Sequence, residues 1–206
     1  MSITTYAELQ TATGTWLHRS DLSAVAADFI TLCEAKVNRT LRIKTMEARV
    51  TATLDELYED VPTDFLEMRK LKITTAPSSE VTYRTPAAMD ALYPDLDAGR
   101  PLHYTFLSGQ LKFERTPDQA YTMEMDYYKR IPALTNSATT NWLLTNHPDA
   151  YLYGALAEAE PYMKNDIRLP VWKQLYQSAI DQIMGADQRE RWGGSVLQII
   201  PDITPT

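Results

Sequence analysis

The stretch Asn141-Trp-Leu-Leu-Thr-Asn-His-Pro-Asp-Ala-Tyr-Leu-Tyr-Gly-Ala-Leu-Ala-Glu-Ala-Glu-Pro-Tyr-Met163 decides the fold, because it holds the clearest helix entry in the chain. Pro148 stands at a first helical position, where its missing N–H would have had no partner. Asp149 follows in the first turn, where negative charge suits the helix dipole. Tyr151, Leu152, Ala155, Leu156 and Ala159 then recur at helical spacing, and Pro161 ends or kinks the pattern. Gly154, Ala155, Ala157 and Ala159 would let another helix approach closely, and Trp142, Leu143 and Leu144 form a short apolar plug ahead. Nothing in the stretch forms a catalytic set, so it reads as a packing hub.

Helices flank it at both ends of the chain. Residues 4–17 predict a first helix, with Thr4 or Thr5 as cap, Glu8 near N3, and Tyr6, Leu9, Thr13, Trp16 and Leu17 as the inward stripe. Ser20 or Asp21 caps a second, Leu22–Leu41, whose apolar positions include Val25, Phe29, Ile30, Cys33 and Val37. A last helix starts at Leu169 with Trp172, Leu175, Tyr176, Ala179, Ile180 and Ile183 on one side. Gly185 is its C-cap, or is tolerated while the helix runs on through Asp187–Arg191.

Between these helices the period changes from helical to alternating. Ala48, Val50, Ala52 and Leu54 alternate with polar residues, as strands do. Leu66–Thr74 is a second strand whose uneven alternation suggests a bulge. Val81–Arg84 is a short strand, and Thr85-Pro86 opens a brief helix to Tyr93. Ser108-Gly109 marks a tight hairpin between Leu102–Leu107 and Gln110–Arg115. Tyr121, Met123, Met125 and Tyr127 give the clearest half-buried strand. The predicted fold class is α+β: a helical bundle formed by the N- and C-terminal helices, an inserted, mostly antiparallel β module, and an extended C-terminal tail. The expected boundaries are 1–45, 46–134, 135–192 and 193–206, with Trp16, Phe29, Trp142, Tyr151, Leu152, Leu156, Trp172 and Ile180 in the bundle core.

The net charge of −7 argues against a general nucleic-acid clamp, which needs a basic face, but suits a protein that DNA passes without sticking. The single cysteine excludes an intrachain disulfide and a Cys-based metal site. There is no basic, apolar leader and no apolar run approaching a membrane span of roughly 20 residues. His18, His103 and His147 lack a second ligand at metal spacing, and no cofactor is expected. Asp55, Glu56, Glu59, Asp60, Asp64 and Glu67 form an acidic run. It is a solvated loop, a patch facing DNA or a basic neighbour, or the carboxylate pair of a glycosidase, the alternative function being a small-ligand or carbohydrate-binding module or such a glycosidase. Arg39, Arg42, Lys44 and Arg49 are the basic counterpart, placed where cations favour a helix C-terminus. In the tail, Val196, Leu197, Ile199, Ile200 and Ile203 would each contribute about 1.5–3 kcal/mol if buried. The tail folds back on its own domain or adds to a neighbour.

Several of these segments together resemble the head-to-tail adaptors of tailed bacteriophages. The resemblance runs through Tyr6-Ala-Glu-Leu9, Trp16-Leu-His-Arg-Ser-Asp-Leu22, Phe29-Ile-Thr-Leu-Cys-Glu-Ala-Lys-Val-Asn-Arg-Thr-Leu-Arg42 and Val61-Pro-Thr-Asp-Phe-Leu-Glu67. It continues in Gly99-Arg100-Pro101 with Tyr104, Tyr127-Tyr-Lys-Arg-Ile-Pro-Ala-Leu134, Asn141-Trp-Leu-Leu144 and His147-Pro-Asp149 with Tyr151-Leu-Tyr153. Cys33 stands where the family pattern leads one to expect Ala. The resemblance implies a non-enzymatic virion protein at the head–tail interface, assembled in the host cytoplasm and not on a membrane. It implies a ring of copies of this chain, typically a dodecamer. The ring would bind the portal through Ser195, Val196, Leu197, Ile199, Ile200 and Ile203, meet tail or nozzle proteins, and let genomic DNA pass without specific binding. Asp55, Glu56, Glu59, Asp60, Arg39 and Arg42 are then candidates for subunit-interface or channel charge.

Overall fold

A computed structural model describes residues 3–18, 25–94, 97–159, 162 and 169–192 of the chain. The expected cap at Ser20 or Asp21, the helix start at Leu22, Pro161 and the whole tail from Gly193 lie outside the described residues. The fold is α+β, and the chain divides into two compact units: residues 1–43 with 133–206, and residues 44–132.

In the helical unit, α1 (Tyr6–Leu17) opens with a capping box: the Thr5 hydroxyl accepts from the Glu8 N–H, and the Glu8 carboxylate accepts from the Thr5 N–H. Helix α2 is described from Ala26 to Thr40. The plug ahead of the hub is itself a short helix: α4 (Trp142–Asn146) is capped by the Asn141 side chain, which accepts from the Leu144 N–H at 2.9 Å. (Helix α3, Pro86–Leu92, belongs to the other unit.) Helix α5 (Pro148–Glu158) follows with Pro148 in its first turn. It is buried nearly all round, through Ala150, Tyr151, Leu152, Gly154, Ala155, Leu156 and Ala157. That burial has a direct cause, because α1, α2, α4 and the last helix, α6 (Leu169–Arg191), all pack against α5. Helix α6 passes straight through Gly185, so this glycine is tolerated and does not cap.

Two expected core positions change. Trp16 is 43% exposed, because a stripe already satisfied by Leu9, Thr13 and Leu17 leaves its ring at the surface, edge-on to Tyr153. Leu175 is 38% exposed, since Trp172, Tyr176, Ala179, Ile180 and Ile183 fill the inward face of α6. Trp142 is half-buried, whereas Phe29, Tyr151, Leu152, Leu156, Trp172 and Ile180 are buried.

In the β unit, one sheet has the order β1-β8-β3-β4, from Glu47–Leu54, Tyr121–Lys129, Phe65–Ile73 and Ser79–Glu80. The other has the order β2-β7-β6-β5, from Tyr58–Asp60, Gln110–Phe113, His103–Leu107 and Thr82–Tyr83. All pairings are antiparallel except β5 with β6. Strand β2 is a correction: Glu59 and Asp60 lie on a strand, where the acidic run reads as loop, because Glu59 is held in register with Leu111 of β7. Strand β8 is central, and its alternation places Tyr121, Met123, Met125 and Tyr127 in one core with Leu54, Leu71, Ile73, Leu111 and Phe113. Ser108 and Gly109 both take positive φ, 54° and 85°, the conformation a two-residue hairpin requires. The uneven pattern of β3 corresponds to register shifts between Phe65 and Glu67 and between Met68 and Lys70. Helix α3 (Pro86–Leu92) is capped by Thr85 as its sequence implies.

Arg100 joins the turn before β4 to the sheet. Its guanidinium donates to the Thr75 carbonyl at 2.9 Å, to the Pro77 carbonyl and to the Ser79 hydroxyl at 3.2 Å, and it lies over the Tyr121 ring. Arg100→Ala is expected to lower the unfolding free energy by roughly 1–3 kcal/mol. Arg100→Lys should recover little of that, because an ammonium cannot span the same fork of acceptors. Denaturant unfolding of the three proteins measures both effects.

Candidate functional site

The acidic run does not stay together: Asp55 and Glu56 follow β1 beside the Tyr121 end of β8, whereas Asp64 and Glu67 stand at its Lys129 end. Asp55 and Glu56 are exposed in the turn after β1, Glu59 is half-buried and Asp60 exposed on β2. Burial first, and then the charges of Asp55, Asp60 and Glu56, push the Glu59 carboxyl above the usual carboxylate range. Asp60 accepts from the Gln110 amide at 2.7 Å, and Asp64 accepts from the Tyr127 hydroxyl at 2.9 Å. Two cavities of about 460 and 470 Å³ take no residue from this run. One is lined by Glu47, Arg49, Arg69, Lys70 and Asp126 among others, and the second is a shallow polar trough along α6. Among the described residues, no group of three or more His, Cys, Asp or Glu is placed to hold a metal ion.

The basic candidates separate. Arg39 is exposed in the last turn of α2. Arg42 folds back to donate to the Asn38 and Leu41 carbonyls, at 2.9 and 2.7 Å, and so covers carbonyls that the helix end leaves open. The tail residues Ser195, Val196, Leu197, Ile199, Ile200 and Ile203 lie outside the described residues.

Two buried polar groups escape a reading by composition. Glu34 is buried on α2, and its Oε1 accepts from the Leu134 N–H at 2.9 Å and from the Tyr151 hydroxyl at 3.0 Å. The Tyr151 oxygen in turn accepts from the Asn141 amide at 2.6 Å. One carboxylate thus fixes the segment entering α4, the cap of α4 and the side of α5. A signal for it exists: Ile30, Glu34, Val37 and Leu41 share one helical stripe, and a carboxylate on an apolar stripe needs partners. In the β unit, Glu114 is buried against His103 Nδ1 and accepts from the Leu102 N–H at 3.2 Å. The Tyr93 hydroxyl lies 3.2 Å from the same His103 nitrogen. His103 is therefore part of a strand-to-strand brace between β6 and the end of β7.

Neither arrangement pairs an activated nucleophile with a base, and Cys33 is sealed in the helical core with its thiol pushed up to about 12 by burial. Among the described residues, no helix is long and apolar enough to cross a membrane. A comparison with curated proteins finds no significant match. A family model described as "SU10 adaptor protein" does match, over residues 4–198, and so takes in both the helical segments and the strands between them. The chain therefore belongs to this family of tailed-bacteriophage head-to-tail adaptors, structural proteins of the virion.

Proposed function

We propose that this adaptor forms a ring that docks beneath the portal, links the capsid to the tail and lines the channel through which DNA leaves. The observation that carries the reading is the family match over nearly the whole chain. Twelve copies is the number the family resemblance implies. The negative net charge supports the reading, since a wall that repels phosphates lets DNA pass. The apolar tail supports it as well: five large aliphatic residues between Val196 and Ile203 are costly to leave in water. In this reading the tail is the portal contact, and the helices with buried Phe29, Tyr151, Leu152, Leu156, Trp172 and Ile180 are the bundle that holds each subunit's shape. Asp55, Glu56, Glu59 and Asp60 face a neighbour's Arg39 or the channel. The role is structural and not catalytic, assembly takes place in the host cytoplasm, and tail or nozzle proteins take the opposite side of the ring.

Deleting residues 195–206 tests the reading. The truncated protein should keep its helical circular dichroism and lose portal binding in co-sedimentation. A truncated protein that binds portal with unchanged affinity would sink the assignment of the tail. Electron microscopy of the full chain mixed with portal should show a ring below the portal, and particles without one would sink the ring.

A further inference from the structure

The two sheets of the β unit end in β1 and β4, and in β2 and β5. Three of these edges are short: β4 and β5 have two residues each and β2 has three. Where β4 does not cover it, β3 carries two register shifts. Short strands and bulges are the usual means of stopping unwanted strand pairing. Strand β1 uses neither. It has eight residues, no proline, and an unbroken register with β8 from Glu47↔Tyr128 to Leu54↔Tyr121.

The direction of its peptide groups follows from the ladder on the other side of β8. The Thr74 N–H donates to the Thr122 carbonyl at 2.8 Å, so Thr122 turns its peptide groups toward β3. Alternate residues of a strand turn theirs to opposite sides, so Met123, Met125 and Tyr127 face β1. Their partners Ala52, Val50 and Ala48 face back, and Arg49, Thr51 and Thr53 send N–H and C=O outward. Among the described residues, nothing pairs with those outward groups. On the core side, Ala48, Val50 and Ala52 are small and only half covered. On the other side, the Arg49 side chain is 67% exposed and reaches Glu124 and Asp126 only at 3.6 and 3.5 Å.

We propose that β1 takes up an extended segment of another virion protein as an added strand. The segment carries large aliphatic residues at alternate positions, to cover Ala48, Val50 and Ala52, and a carboxylate between them to meet Arg49. Among the described residues, a second copy of this chain offers no fitting strand: its other edges are too short or bulged, and β1 against β1 would set alanine and valine over alanine and valine. The proposal goes beyond the portal reading, because it concerns the β unit and not the tail.

The test uses the full chain and a fluorescein-labelled peptide, Lys-Val-Thr-Ile-Glu-Ile-Thr-Val-Lys, followed by anisotropy. Saturable binding is expected, with the Glu→Lys peptide several-fold weaker. Thr51→Pro removes one outward N–H and leaves the ladder to β8 intact; it should keep the thermal midpoint and weaken binding about tenfold. Arg49→Glu should invert the preference between the two peptides, which keeps the test alive should the proline variant misfold. Absence of peptide binding, equal binding by Thr51→Pro, or a charge preference indifferent to Arg49→Glu overturns the proposal. So does a homodimer in sedimentation that Thr51→Pro dissociates, which would assign the edge to a second copy.

Discussion

Gly154→Ala is expected to destabilise the helical unit by about 3 kcal/mol or more, and Cys33→Ala in the same chain to return the larger part of that loss. A methyl group on Gly154 would overlap the Cys33 sulfur of α2 and stand 3.0 Å from Cε2 and 3.1 Å from Cδ2 of the Tyr176 ring on α6. The sulfur is the harder obstacle, since Cys33 is fully buried and has nowhere to turn. The ring needs to give only a few tenths of an ångström. Shortening residue 33 to alanine removes the overlap and leaves the milder contact. Chemical denaturation of wild type, the two single variants and the double variant gives the coupling directly. Additive losses, with no recovery in the double variant, would place the crowding elsewhere.

That pairing marks the border of what the sequence discloses. The alternation of Tyr121, Met123, Met125 and Tyr127 identifies β8 unaided, because one face of a strand meets the core and the other does not. Thr5, Thr85 and Pro148 announce helix starts for equally local reasons, which the structure repeats. Trp16 fails as a core residue because periodicity identifies a stripe but not its width, and Leu9, Thr13 and Leu17 suffice to fill it. The acidic run hides β2 because its strand character comes from pairing with β7, some fifty residues away, and not from its own side chains. Gly154 announces only that something comes close; that the neighbours are Cys33 and Tyr176 is a matter of tertiary packing. The candidate site is less legible than the fold, since a docking surface leaves no spacing rule of the kind that metal ligands or a catalytic set would leave.

Glu34 lends itself to a test in which chemistry and pH separate. Burial is the largest influence on its carboxyl and raises its pKa above the ordinary carboxylate value, while the Leu134 N–H and the Tyr151 hydroxyl pull partly the other way. A raised value in the folded state means that the fold binds the proton more tightly than the unfolded chain does. The resulting stabilisation is fully present below the unfolded pKa and is lost as pH rises through the folded one. Glu34→Gln keeps an oxygen able to accept from both donors and removes the charge. At neutral pH it should therefore match or exceed the stability of wild type. As pH falls through the window just above the ordinary glutamate value, wild type should gain on Glu34→Gln. Glu34→Ala removes the acceptor altogether, and with two buried donors orphaned at about 1–3 kcal/mol each it should lose roughly 3 kcal/mol at any pH. Unfolding free energies of the three proteins between pH 4 and pH 8, referred to Glu34→Gln so that other titrating groups cancel, give the result. A wild type that loses ground to Glu34→Gln on acidification would mean that the hydrogen bonds outweigh burial and that the carboxylate is held charged. The Ala variant separates the donors from the charge, since its loss should not follow pH, and a loss that did would assign the role of Glu34 to its charge alone.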